Sequence, residues 1–105
     1  MPDSRFEMLT GILKRDPNNL LARYGLAMEY AQQGNTDGAL ENFRALMVSH
    51  PDYVAAYYQA GRALQKVGDL ERAREVLQQG IAACNRVGDL HARGELETAL
   101  AEIGT

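Results

Sequence analysis

The chain has 105 residues, 46% of them hydrophobic and 24% charged, with a formal net charge of −3. That length sets a ceiling of one domain with a modest core that needs no staples, and the composition argues against disorder. The acidic balance argues against nucleic acid or an anionic membrane as partner, since both reward a basic surface, and the lone cysteine, Cys84, cannot form an internal disulfide.

In chain order, the first clear rhythm spans residues 20–33, where Leu20, Tyr24, Ala27 and Ala31 stand at helical spacing. Gly34-Asn35 then interrupts, which suits a helix C-terminus followed by a capping turn. Ala39, Leu40, Phe43, Leu46 and Met47 resume the i, i+3, i+4, i+7 pattern until His50-Pro51 stops it. The same events recur from Val54 to Cys84, with Gly68-Asp69 as the turn. A final helix is predicted over 89–103, with Leu96, Ala99, Leu100 and Ile103 on one face.

The tetrapeptide Val-Gly-Asp-Leu occurs at 67–70 and again at 87–90. A shift of 20 residues aligns the two copies but fails at once beyond them, setting Ala73 on Arg93 and Arg74 on Gly94. A shift of 34 holds along the chain. It places Tyr24 on Tyr58, Ala27 on Gly61, Gly34 on Gly68, Ala39 on Ala73, Phe43 on Leu77 and Pro17 on Pro51, and it aligns Asp3 with Asp37 and Glu71. Such a period marks a solenoid, in which each unit buries its apolar face only against its neighbours. The tetrapeptide is then turn chemistry used twice: glycine takes a left-handed conformation, aspartate caps the next helix and leucine begins its apolar face.

A 34-residue helix–turn–helix unit with these small residues resembles the tetratricopeptide repeat family. The residues that carry the resemblance are Ala27 and Gly61, Gly34 and Gly68, Ala39 and Ala73, Phe43 and Leu77, the closing Pro51, and Asp16-Pro17-Asn18-Asn19 as a repeat ending. The resemblance implies an all-α, right-handed α-α superhelix of about six antiparallel helices. Residues 3–15 would be the second helix of a repeat, 20–53 and 54–87 two full repeats, and 89–103 a C-terminal capping helix. Two positions depart from the family pattern: Arg23 stands where a large aromatic is usual, and Asn85 where a proline is expected.

The family's concave surface is lined by the first helix of each pair and holds a peptide or helix of a partner protein. Transferred to this chain, the groove positions are Leu21, Tyr24, Met28, Ala31 and Gln32, then Ala55, Tyr58, Arg62, Gln65 and Lys66. Leu21, Tyr24 and Met28 would form an apolar wall. Tyr58, Arg62 and Lys66, four residues apart, would form an aromatic and cationic stripe on one helical face. The expected partner is another protein, offering an apolar anchor and at least one carboxylate. The alternative is that both tyrosines pack against neighbouring helices while Arg62 and Lys66 are merely solvated. One family subtype grips a C-terminal carboxylate between lysine and asparagine; Tyr24 and Met28 stand at those positions, so that clamp is not expected.

Other chemistries find little support. His50 lies at a turn and His91 begins the last helix, neither with metal-ligand spacing. Cys84 reads as a small packing residue, and no glycine-rich loop is placed to cradle a phosphate. No metal, cofactor or catalytic residue is expected, so the chain does not read as an enzyme. The opening Met1-Pro2-Asp3-Ser4 lacks a signal-peptide pattern, and no apolar stretch approaches the roughly 20 residues of a membrane helix, so a cytoplasmic location is the default. A second function class is a self-assembling unit or homodimer. In that reading the first helix, lacking a preceding partner, leaves part of Phe6, Met8, Leu9, Ile12 or Leu13 uncovered.

Overall fold

The computed structural model describes residues 4–104. Asp3, the first residue of the predicted 3–15 helix, and the opening Met1-Pro2-Asp3 on which the reading of the N-terminus rests lie outside the described residues. Six helices follow one another: α1 (Ser4–Arg15), α2 (Leu20–Gln32), α3 (Thr36–Ser49), α4 (Val54–Lys66), α5 (Leu70–Val87) and α6 (Leu90–Ile103). Among the described residues there is no strand, and no helix is long and apolar enough to cross a membrane.

The turns explain why the helices end where they do. Gly68 and Gly88 adopt φ of +82° and +75°, a region that glycine enters without a Cβ penalty. The amide of the following aspartate then reaches back to a helix carbonyl, Asp69 N–H to Leu64 O and Asp89 N–H to Cys84 O, both at 3.0 Å. The same aspartates accept from the next helix, Asp69 Oδ1 from the Arg72 amide and Asp89 Oδ1 from the Ala92 amide. Both copies of Val-Gly-Asp-Leu therefore stop one helix and cap the next, although one joins α4 to α5 and the other α5 to α6.

Apolar burial runs in series along the chain. Leu9, Leu13, Ala22 and Leu26 fill the α1–α2 contact. A central cluster gathers Ala27, Ala39, Phe43, Leu46, Ala60, Leu64 and neighbours from α2 to α5. Leu77, Cys84, Leu96 and Ala99 close the far end. Consecutive helices supply most of the packing, and α4 also meets α6. The body measures 41 × 29 × 19 Å with a radius of gyration of 13.9 Å, somewhat above the ~13 Å of a compact domain this long. This is the stacked superhelix expected of a solenoid rather than a closed bundle.

The small residues sit where helices close on one another. A Cβ placed on Gly61 would lie 2.5 Å from Leu77 Cδ2, so the α4–α5 approach depends on its absence. Ala27 and Ala39 are completely buried. At the N-terminus, the uncovered apolar face of α1 is smaller than its sequence suggests. Leu9 and Leu13 are buried, the Phe6 ring stands edge-on to Tyr30 at 5.4 Å, and Ile12 packs against the same cluster. Of the five apolar residues, only Met8 is mostly exposed.

Candidate functional site

Helices α2, α4 and α6 share one face of the stack. Two cavities open on it, each between adjacent helices. The first, of about 420 Å³, lies between α2 and α4 and is lined by Ala31, Gln32, Gly34, Thr36, Gln59, Arg62, Ala63, Lys66 and Val67. The second, of about 550 Å³, lies between α4 and α6 and is lined by Tyr58, Leu90, His91, Gly94, Glu95, Thr98, Ala99 and Glu102. Tyr58 also borders a smaller hollow with Val54, Ala55, Gln59, Ala92, Glu95 and Leu96.

The groove residues named by sequence fall in several places, and Gln65 is held against Arg62. Ala31, Gln32, Arg62 and Lys66 come together around the α2–α4 cavity, and Ala55 and Tyr58 border the α4–α6 hollows. Tyr24 and Met28 turn toward the central core instead. The Tyr24 ring stands edge-on to Tyr53 at 5.4 Å and to Phe43 at 6.1 Å. Burial, followed by the Tyr53 hydroxyl, pushes its phenol above the ordinary tyrosine value, while a hydrogen bond with the Gln59 side chain works against that rise. For Tyr24, packing between helices is therefore the dominant role. Leu21 is exposed near the start of α2.

Arg62 is engaged within the chain. Its Nη1 donates to Glu102 Oε2 at 3.0 Å, across from α4 to α6, and to Gln65 Oε1 at 3.1 Å. Both partners of the ion pair are well exposed, so the pair is worth about 1 kcal/mol or less and a competing carboxylate can exchange with it. Lys66, one turn further along, is exposed and makes no ion pair among the described residues. The cation that stands ready at this cavity is thus Lys66, with Arg62 held beside it.

Sequence reasoning omitted Gln59 and the contribution of α6. His91, Glu95, Thr98 and Glu102 form a polar stripe at i, i+4, i+7 and i+11, turned away from the buried Leu96, with Ala99 at its edge. That stripe was readable as the complement of the apolar face already identified. The 34-residue register missed it because α5 runs for 18 residues, against 14 in α3, and moves the start of α6 relative to the repeat frame. Asn85 in place of a proline permits the longer helix, which ends only at Gly88. Cys84 lies inside this extension, and its burial pushes the thiol above the ordinary value, as suits a packing residue.

Comparison with known proteins places this architecture. Residues 30–84 match a family model described as "Tetratricopeptide repeat". The Pseudomonas aeruginosa "TPR repeat-containing protein PA0015" is 32% identical over 97 residues, covering 92% of each chain. The solution structure of protein BPP2914 from Bordetella parapertussis has a TM-score of 0.80 at 33% identity, over 93% of this chain and 85% of that one. The TPR2B domain of yeast Sti1, solved in a complex with pHsp70, has a TM-score of 0.86 over 93% of this chain and 78% of that one. Its identity is 18%, so that likeness is one of fold. With a family model spanning more than half its length and a relative 32% identical along almost all of it, the chain belongs to the tetratricopeptide repeat family.

Proposed function

We propose that the protein is a scaffold or adaptor module whose α2–α4–α6 face holds a segment of a partner protein bearing an apolar anchor and a carboxylate. Domains of this family are protein–protein interaction modules. The observation that carries the reading here is the α2–α4 cavity, where Ala31, Ala63 and Val67 offer apolar surface beside the cationic ends of Arg62 and Lys66. An apolar side chain seated there gains by leaving water, and a neighbouring carboxylate gains from Lys66 and from exchange with Glu102 on Arg62. Tyr24 and Met28, which stand at the lysine and asparagine positions of the family's carboxylate-clamp subtype, pack against the central cluster, so this reading does not rest on that clamp.

The test is comparative capture on the immobilised chain and on its Arg62→Ala/Lys66→Ala variant, with bound proteins identified by mass spectrometry. The expected result is loss of specific partners in the variant with an unchanged helical circular dichroism spectrum. Equal capture by the two forms removes the cavity from the binding surface.

A further inference from the structure

We infer that α6 makes the inner face bipolar, so that the partner segment carries a basic side chain four to five residues from its carboxylate. This rests on the proposed docking face and adds a second charge requirement to it.

Consider which charges stay uncompensated at each cavity. At the α4–α6 cavity the ionisable side chains besides the Tyr58 phenol are His91, Glu95 and Glu102. Glu102 is taken by Arg62 at 3.0 Å. Arg93 of the same helix is drawn to Glu97 at 3.5 Å and donates to Asn85 Oδ1 at 2.9 Å, leaving it no role at this cavity. Among the described residues Glu95 is paired only with His91 Nε2, at 3.7 Å, an ion pair that exists only when the imidazole is protonated. The charge left on offer is therefore the Glu95 carboxylate, beside the half-buried ring of Tyr58. An aromatic ring next to a carboxylate in a shallow cavity suits an ammonium or guanidinium group, which gains from both. At the α2–α4 cavity the charge on offer is Lys66, of the opposite sign.

The spacing follows from helix geometry. The two cavities lie on either side of α4, about one interhelical distance of 8–10 Å apart. Tyr58 and Lys66 are eight residues apart on α4, which at 1.5 Å per residue is about 12 Å along the axis. The diagonal is about 15 Å, or four to five residues of extended chain at ~3.3 Å each. A uniformly acidic segment laid along this path sets a carboxylate against Glu95, and the repulsion selects against it.

The experiment is selection of a phage-displayed random dodecamer library on the immobilised full chain and on its Glu95→Gln and Lys66→Gln variants, each first shown to keep its helical spectrum. Peptides enriched on the unmodified chain should pair an acidic with a basic residue at a separation of four or five. The basic preference should vanish on Glu95→Gln and the acidic one on Lys66→Gln. For a synthetic peptide from the selection, replacing its basic residue by glutamine should weaken binding about five-fold, as read by fluorescence anisotropy, and less than about two-fold on Glu95→Gln. Enriched peptides with acidic and apolar positions but no basic preference overturn the inference and leave the docking face standing. Absence of enrichment over an Arg62→Ala/Lys66→Ala control removes the face and the inference together. Self-association seen by light scattering and broken by Glu95→Gln identifies a second copy of the chain as the occupant, which also overturns the proposal.

Discussion

The two full repeats solve the same packing problem with different side chains. At aligned positions, Arg23 in α2 and Tyr57 in α4 look unrelated, yet each donates to the carbonyl of the preceding turn proline. Arg23 Nη2 reaches Pro17 O at 3.0 Å, and the Tyr57 hydroxyl reaches Pro51 O at 2.7 Å. The acceptors are themselves 34 residues apart. Arg23 also donates through Nη1 to Asn42 Oδ1, a buried amide of α3 that is satisfied on its other side by Gly38 O. The period thus preserves where a donor must be and leaves open which group provides it, provided every buried polar atom finds a partner.

The interior of the two repeats offers the largest way to break this equivalence. Phe43 and Leu77 are aligned and both completely buried. Phe43→Ala should cost about 3–5 kcal/mol and Leu77→Ala about 2–5 kcal/mol, measured by urea denaturation. Against a typical total of about 5–15 kcal/mol, either loss threatens the fold. A cost below ~1 kcal/mol at one position would show that the alignment does not mark a shared core site.

Next in size is the small residue opposite them. The first repeat carries Ala27 in full burial, whereas the second has Gly61 hard against Leu77. Gly61→Ala sets an overpacking penalty of about 1–3 kcal/mol against roughly 1 kcal/mol gained by removing glycine from a helix interior. Since Leu77 is completely buried and any shift of its side chain presses on the packed core, the net should be a loss of about 1 kcal/mol. Combined with Leu77→Val, the change should cost less than the sum of the single variants, because the second relieves the first. Strict additivity would place the strain elsewhere.

Much of this fold was legible because a solenoid repeats its instructions. Gly34, Gly68, Ala39, Ala73 and the turn prolines each appear at the period, and each does a job that geometry restricts to few residue types. The candidate site was legible only in part. Arg62 and Lys66 line one cavity with Gln32 while Tyr58 of the same four-residue stripe lines another, and spacing on one helix cannot reveal that Glu102, forty residues later, reaches Arg62. Nor does it show that Tyr24 is drawn inward by Phe43 and Tyr53, since a half-buried tyrosine and a groove tyrosine have the same periodicity. Such outcomes depend on how neighbouring helices stack, which one helix's pattern does not contain.

The polar substitution between repeats predicts a smaller effect than the core. Tyr57→Phe removes the hydroxyl's bond to Pro51 O and an exposed one with Arg86 and leaves the ring in place, for a cost of about 1 kcal/mol by thermal or urea unfolding. Arg23→Met removes two, one of them to the buried Asn42, and should cost somewhat more, about 1–2 kcal/mol. Asn42→Leu combined with Arg23→Met should cost less than Arg23→Met and Asn42→Leu added together, because the pair is one network. If Arg23→Met is the milder of the two single changes, the guanidinium is a solvated substitute rather than the structural equivalent of the phenol.

The finest distinction between the repeats is at their internal turns, where Asn35 and Asp69 are aligned and cap in the same way. Asn35 Oδ1 accepts from the Gly38 amide at 2.9 Å, and Asp69 Oδ1 from the Arg72 amide at 3.3 Å. Only Asp69 can ionise, and Arg72 bonds it a second time through Nε at 2.7 Å. These bonds, the side-chain one first, hold the Asp69 carboxyl below its ordinary value. A carboxyl depressed in the folded chain stabilises that chain fully above its unfolded value near 4, and the contribution fades as pH falls through the folded value. Asp69→Asn keeps the capping oxygen and removes the charge. Its melting temperature should therefore lie slightly below that of the unmodified chain at pH 7 and converge with it as the pH falls through the lowered folded value of Asp69. Asn35→Asp should do the opposite, opening a gap as pH rises, but a narrower one, since Gly38 stands where Arg72 does and only the helix N-terminus favours the new charge. A gap for Asp69→Asn that stays constant from pH 7 to pH 2.5 would assign the difference to cap geometry and make the two turns electrostatically alike.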